Sequence, residues 1–163
     1  MRRRDREITS FDEMLEIIAQ CKVCRLALCG GDMMPYIVPL NYGYIARGDK
    51  LTLYFHSAKI GRKMDIIKEN SNACFEIDCD CELLEGEAPC DYGYAFKSVI
   101  GFGRIAFAES NAEKTQGLNA LMRHQTGADT GYESDYEYPD AMLARTAVYR
   151  MDVQQLSGKK KVL

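Results

Sequence analysis

The chain has 163 residues, with 21 basic and 24 acidic side chains and a formal charge of −3. That size fits a single domain, residues 1–163, able to bury roughly 70% of its unfolded surface without help from a metal or a disulfide. The near-balanced charge argues against general nucleic-acid binding, which needs a strongly basic face, and no apolar run approaches the ~20 residues of a membrane-spanning helix.

The N-terminal cations Arg2, Arg3, Arg4 and Arg6 are not followed by an apolar stretch, so no secretory signal is expected. Those residues and Lys159, Lys160 and Lys161 read as solvated, partly frayed ends. Seven cysteines make an odd count in a chain of ample size, and a reducing cytoplasm is the simplest setting.

Ser10-Phe11-Asp12-Glu13 has the Ser-x-x-Glu form of a capping box. Apolar residues follow at Met14, Ile17, Ile18 and Cys21, which predicts a helix over 11–20. Val23 to Cys29 reads as a strand, Gly30-Gly31-Asp32 as a turn, and Tyr36 to Ile45 as a second strand. Pro39 removes a ladder donor there, which predicts an edge, a bulge or a ligand-facing strand. Arg47-Gly48-Asp49 turns into a third strand over 51–57, and Ile60 to Glu69 is a short helix. Ala73 to Cys81 is a fourth strand, Glu82 to Tyr92 an acidic loop, and Ala95 to Ala108 a fifth strand whose Gly101 and Gly103 suggest a bend or a close approach. Ala112 to His124 is a second long helix capped by Asn111, Thr126 to Asp140 a long loop, and Ala147 to Val153 the last strand. Few helices join the strands, so a doubly wound sheet is excluded in favour of a small antiparallel barrel with helices outside.

The segment Tyr54-Phe55-His56-Ser57-Ala58-Lys59-Ile60-Gly61-Arg62-Lys63 carries the clearest chemistry. It sets a hydroxyl, an imidazole, a glycine and two cations where a strand becomes a helix. Unpaired N–H groups at a helix start favour anions, Ser57 can donate to a phosphate oxygen, and Arg62 and Lys63 can neutralise it. The chain has no Gly-x-x-x-x-Gly-Lys-Ser/Thr loop, and Gly101-x-Gly103 lies within a strand and lacks a third glycine. Cys21-x-x-Cys24 has metal-like spacing, but its second pair would have to be Cys79-x-Cys81, and both cysteines fall on apolar faces; no metal site is predicted. Asp78, Asp80 and Glu82 read as a solvated strand face, and His124 as a surface histidine beside Arg123.

These residues together resemble a family. Met1-Arg2-Arg3-Arg4-Asp5-Arg6-Glu7-Ile8, Pro35-Tyr36-Ile37-Val38-Pro39-Leu40-Asn41-Tyr42-Gly43-Tyr44, Phe55 to Lys63, Asn72-Ala73-Cys74-Phe75-Glu76, Ser98 to Gly103 and the strand at Tyr149 to Val153 look like the nitroimidazole-resistance branch of the pyridoxamine 5'-phosphate oxidase-like flavoproteins. The resemblance implies a mainly β fold with flanking helices: an antiparallel, Greek-key, six-stranded split barrel with about three peripheral helices. It implies FMN at the interface of a homodimer. Val38, Pro39, Leu40 and Asn41 would run along the isoalloxazine. His56, Ser57, Ala58, Gly61, Arg62 and Lys63 would surround the phosphate, and Ser98 and Val99 would lie on a strand that reaches the flavin. His56 is the candidate catalytic residue.

The activity so implied is an FMN-dependent reductase of small electron-poor substrates such as nitroaromatics and 5-nitroimidazoles, with NAD(P)H a candidate donor. The chain ends without the C-terminal Arg and His segment of the full oxidases, which argues against pyridoxamine phosphate as substrate. The alternatives are a module holding FMN, haem or a deazaflavin without turnover, and a zinc-stabilised structural protein using Cys21 and Cys24.

Overall fold

A computed structural model describes residues 3–127 and 136–162. It contains one eight-stranded sheet in which every pairing is antiparallel. After a 3-10 turn at Arg4–Arg6 come β1 (Glu7–Ile8) and α1 (Phe11–Gln20). Ser10 caps α1 by accepting the Glu13 N–H at 3.3 Å, and Met14, Ile17 and Ile18 bury its inner face. β2 (Val23–Cys29) alternates, with Cys24, Leu26 and Leu28 inside.

The predicted second strand is two strands, β3 (Pro35–Asn41) and β4 (Gly43–Arg47). They lie at opposite ends of the strand path β3-β2-β6-β7-β8-β5-β4, joined through Tyr42 alone. The other members are β5 (Lys50–Ala58), β6 (Asn72–Leu84), β7 (Gly93–Phe107) and β8 (Thr146–Lys161), which also pairs with β1. The split at Tyr42 and the short β1 account for the difference from six predicted strands. Pro35 and Pro39 sit on β3, a terminal strand of the path that pairs only with β2, where missing N–H groups cost least.

Three more helices pack around this sheet: α2 (Arg62–Glu69), α3 (Asn111–Thr126) and α4 (Asp140–Arg145). α3 is capped by Ser110, whose hydroxyl accepts the Glu113 N–H at 3.1 Å. The expected cap, Asn111, is the first helical residue and donates its amide to Asp140 at 2.8 Å. Of the predicted loop over 126–140, residues 128–135 lie outside the described residues, 136–139 are irregular and Asp140 begins α4.

The core lies inside the curled sheet. Tyr42, Phe55, Phe75, Ile77, Val99 and Tyr149 are all fully buried, and the Phe55 and Tyr149 rings stack at 5.5 Å. Gly101 leaves room for the Phe75 ring, and the β7–β8 register slips between Phe102 and Gly103, so the expected close approach and bend both occur. β6 and β8 run further than predicted. The C-terminal lysines are strand residues rather than a frayed end: Lys160 pairs with Glu13 at 2.5 Å, and Lys159 lies 5.6 Å over the Phe96 ring. Asp78 and Asp80 are ion-paired, to Arg25 and Lys97 respectively, rather than simply solvated.

His124 is buried, not on the surface. Its Nδ1 lies 2.7 Å from the Tyr42 carbonyl and its Nε2 3.2 Å from that of Ala19. Burial lowers its pKa, the Tyr42 carbonyl pulls it back up, and Lys22 pushes it down.

Two outcomes follow for stability. A Cβ at Gly43 would overlap the α3 backbone at Ala120 and Leu121, neither a flexible side-chain end. Gly43→Ala should therefore destabilise by about 1–3 kcal/mol in urea unfolding, and an unchanged midpoint would show that α3 does not seat there. The folded state holds His124 neutral more readily than the unfolded chain does, so this residue's contribution is intact above its ordinary pKa of 6.5 and is lost as pH falls below it. The urea midpoint should drop on acidification through that value, and less steeply in His124→Gln; equal slopes in the two proteins would refute the assignment.

Candidate functional site

β5 delivers His56, Ser57 and Ala58 opposite Val148, Ala147 and Thr146 of β8. The chain leaves the strand at Ala58 and enters α2 through Gly61, whose φ of +136° and ψ of 161° suit glycine alone. No side chain caps α2, and nothing lies within 4 Å of where a Gly61 Cβ would stand. The Gly61 carbonyl accepts the N–H groups of Met64 and Asp65, at 2.8 and 3.2 Å. The N–H groups ahead of them have no intrahelical acceptor and lie at the positive end of the helix. Asp65 is the one acid in this first turn.

The side chains here are short of negative charge. Lys63 is half-buried and its pKa is lowered by desolvation. The His56 pKa is lowered first by desolvation and then by the charge of Lys63. Neither residue has an ion-pair partner among the described residues. The Arg62 guanidinium lies 4.9 Å over the Tyr36 ring, tying the start of α2 to β3. Ser57 donates to the Ala58 carbonyl at 2.9 Å and sits 3.3 Å from the Met64 sulfur. Beneath it the Tyr149 hydroxyl is buried with no hydrogen-bond partner of sound geometry. Burial raises that phenol to about 12, and the Ser57 hydroxyl draws it back.

Tyr36 and Tyr149 were not singled out in the sequence. Tyr36 could have been found from the alternation of β3, in which positions 36, 38 and 40 share one half-buried face. Tyr149 has no sequence signal that separates it from an ordinary core aromatic.

The structure thus brings His56, Ser57, Ala58, Gly61, Arg62 and Lys63 together. Val38 and Leu40 lie on the face of β3 turned to the core, while Pro39 and Asn41 lie exposed on the other. The Asn41 amide donates to the Lys22 carbonyl at 3.2 Å and to Gln125 at 3.1 Å. Ser98 and Val99 are paired with Asp78 and Ile77 on β6; Ser98 is half-buried and Val99 fully so. Within one chain these two do not reach the α2 start. Ser57 lies opposite Ala147 and Ser98 opposite Lys159, near the two ends of β8.

Ile37, Ala27, Cys74 and Phe102 form one row across β3, β2, β6 and β7 on the outside of the sheet. Ile37 is 62% exposed, Phe102 50% and the neighbouring Ile100 40%, which makes an exposed apolar patch. The other candidates do not assemble. Cys24 is fully buried with its thiol pushed up to about 12, and Cys21 donates to the Asp78 carbonyl at 3.4 Å. Among the described residues no three His, Cys, Asp or Glu side chains converge as metal ligands, and no helix is long and apolar enough to cross a membrane.

Solved structures share this fold. A candidate 5-nitroimidazole antibiotic resistance protein from Bacteroides thetaiotaomicron is 27% identical, with a TM-score of 0.79 over 94% of this chain and 86% of that one. An FAD and haem binding protein from Mycobacterium smegmatis is 16% identical, with a TM-score of 0.81 over 96% and 73%. A flavocytochrome from Azotobacter vinelandii is 16% identical, with a TM-score of 0.80 over 100% and 72%. A sequence search of curated proteins finds no match. The fold is the split barrel of these relatives. Because the model of pyridoxamine 5'-phosphate oxidases matches residues 10–160, nearly the whole chain, the protein belongs to that family.

Proposed function

We propose that this protein is an FMN-dependent oxidoreductase that reduces small electron-poor compounds, nitroaromatics and 5-nitroimidazoles among them. The observation that carries the reading is the uncapped start of α2, where Lys63 and His56 meet without an acidic partner. The residues present fit a phosphate. Gly61 allows its close approach, the first N–H groups of α2 can donate to it, the Ser57 hydroxyl can do so by turning from the Ala58 carbonyl, and Arg62 and Lys63 can neutralise it. Tyr36 holds the Arg62 guanidinium in place. Likeness to the Bacteroides resistance protein supports the substrate class.

When bound, the flavin would supply hydride acceptance and donation, with a reduced nicotinamide as the candidate donor. The chain's part is to orient it. Val38, Pro39, Leu40 and Asn41 offer a strand for the ring. The exposed apolar row through Ile37 and Phe102 is the face we assign to a second copy, whose Ser98–Val99 strand would complete the site. Of the two histidines, His124 is committed to the Tyr42 and Ala19 carbonyls, which leaves His56 to hold or pass a proton. Its lowered pKa leaves the ring neutral at pH 7.

Lys63→Ala should weaken FMN binding by about 1.5–3 kcal/mol, the range for a hydrogen bond to a charged group. Lys50→Ala, at the exposed start of β5, should leave it unchanged. Flavin fluorescence quenching measures both, and equal affinities would remove the assigned site.

A second reading has its own support. The Mycobacterium and Azotobacter structures of the same fold are named for FAD, haem or flavocytochrome. A cofactor-holding module without turnover fits the geometry equally. Steady NAD(P)H oxidation that depends on a nitro compound would establish the enzyme; tightly held flavin with no such turnover would establish the module.

A further inference from the structure

On the flank of α2 facing α3, a cavity of about 380 Å³ opens between Lys59, Lys68 and Lys114. Its floor is apolar, made by Phe107, Ala108 and Val148, the last two buried. That volume falls within the range of small-molecule sites, roughly 300–1,000 Å³. The cavity is separate from the cluster under Arg62, which leans the other way onto Tyr36. Met64 divides the two, lining the cavity while its sulfur touches Ser57.

The electrostatics here favour an anion. No lining residue is acidic, and none of the three lysines is in an ion pair among the described residues. Lys114 is half-buried and held by one neutral partner, the Leu143 carbonyl at the end of α4, at 2.9 Å. A lysine ammonium carries three donors, so its other two stay available. The Thr146 hydroxyl, also on the lining, donates to the Met142 carbonyl at 2.9 Å and keeps its lone pairs. Three cations around an apolar floor are matched by a molecule with the opposite arrangement, an anionic head on a flat apolar body.

We infer that this cavity is a second ligand site, distinct from the phosphate cluster, that takes a small aromatic anion bearing a phosphate, sulfonate or carboxylate group. The lysines fix the head and the Phe107–Val148 floor takes the body. The inference does not depend on flavin binding or on turnover.

The test uses the full-length protein, saturated with FMN, and 1-naphthyl phosphate as the probe. Calorimetric titration should show one saturable site per chain. Inorganic phosphate should compete by occupying the lysines alone. The double variant Lys59→Ala/Lys68→Ala should bind the probe roughly tenfold or more weakly, as expected for the loss of charge-assisted contacts, while its FMN content stays that of the wild type. Lys63→Ala, on the other side of Met64, should leave probe affinity unchanged. Unsaturable binding, equal affinity in the double variant, or displacement of FMN by the probe would each overturn the proposal. Because FMN content is read separately from absorbance, failure of the flavin reading is distinguishable from failure of this one. If FMN does not bind at all, the same titration on the flavin-free protein decides the lysine site.

Discussion

Tyr42 is the single joint on which the barrel closes. β3 and β4 stand at the two ends of the strand path, yet only this residue lies between them. Strands at opposite ends of a flat sheet of this width would be about 29 Å apart, at roughly 4.8 Å per strand. A one-residue link therefore forces the sheet to curl until its ends nearly meet. The fully buried Tyr42 hydroxyl lies 2.6 Å from the Ile18 carbonyl and 3.0 Å from that of Cys21. The Tyr42 carbonyl takes His124 and the Gln125 amide, at 2.7 and 2.9 Å. One residue thus ties the end of α1, the joint of the barrel and the end of α3. Each of these groups is buried or nearly so, where a lost partner costs about 1–3 kcal/mol.

The curl also makes the candidate site. It swings the Pro35–Tyr36 end of β3 toward the start of α2, so that the Tyr36 ring meets the Arg62 guanidinium. A flat sheet with the same strand order would leave β3 and β5 far apart, because four strands separate them. Cation and ring come from segments whose meeting is set by topology rather than by sequence spacing. Tyr149 belongs to the same geometry. Stacked on Phe55 and met edge-on by Phe107, its ring is fixed, and its buried hydroxyl is delivered beneath Ser57.

Local chemistry was legible in the sequence where a rule acts within a few residues. Ser10-x-x-Glu13 announced α1, and Ser57 to Lys63 announced the strand-to-helix corner. Ser110-x-x-Glu113 has the same capping form, so the true cap of α3 was readable, although Asn111 is the more conspicuous residue. Pattern fails where partners are distant. His124 sits between Arg123 and Gln125 and looks solvated, but α3 buries it against carbonyls of α1 and the Tyr42 joint. The lysines at the C-terminus look like a charged tail, but Glu13 and Phe96 hold them in β8. The break between β3 and β4 could not be read from hydrophobicity, since Tyr42 suits a strand as well as a joint.

The contrast in charge pairing argues most directly for an anion at α2. In several places the fold supplies half-exposed cations with acids: Arg25 with Glu76 and Asp78, Lys97 with Asp80, Arg150 with Glu113, and Lys160 with Glu13. At the start of α2 it supplies none to Lys63 or His56, and desolvation there pushes both toward neutrality. A chain selected only for stability could place a carboxylate beside Lys63 and recover that loss. An anion arriving at the helix start would do the same, and would favour the charged forms through charge-assisted bonds. The open space at Gly61 is the remaining condition, because a side chain there would stand where the anion must approach. The missing acid and the missing side chain have the same consequence: both leave the place free for a negatively charged ligand.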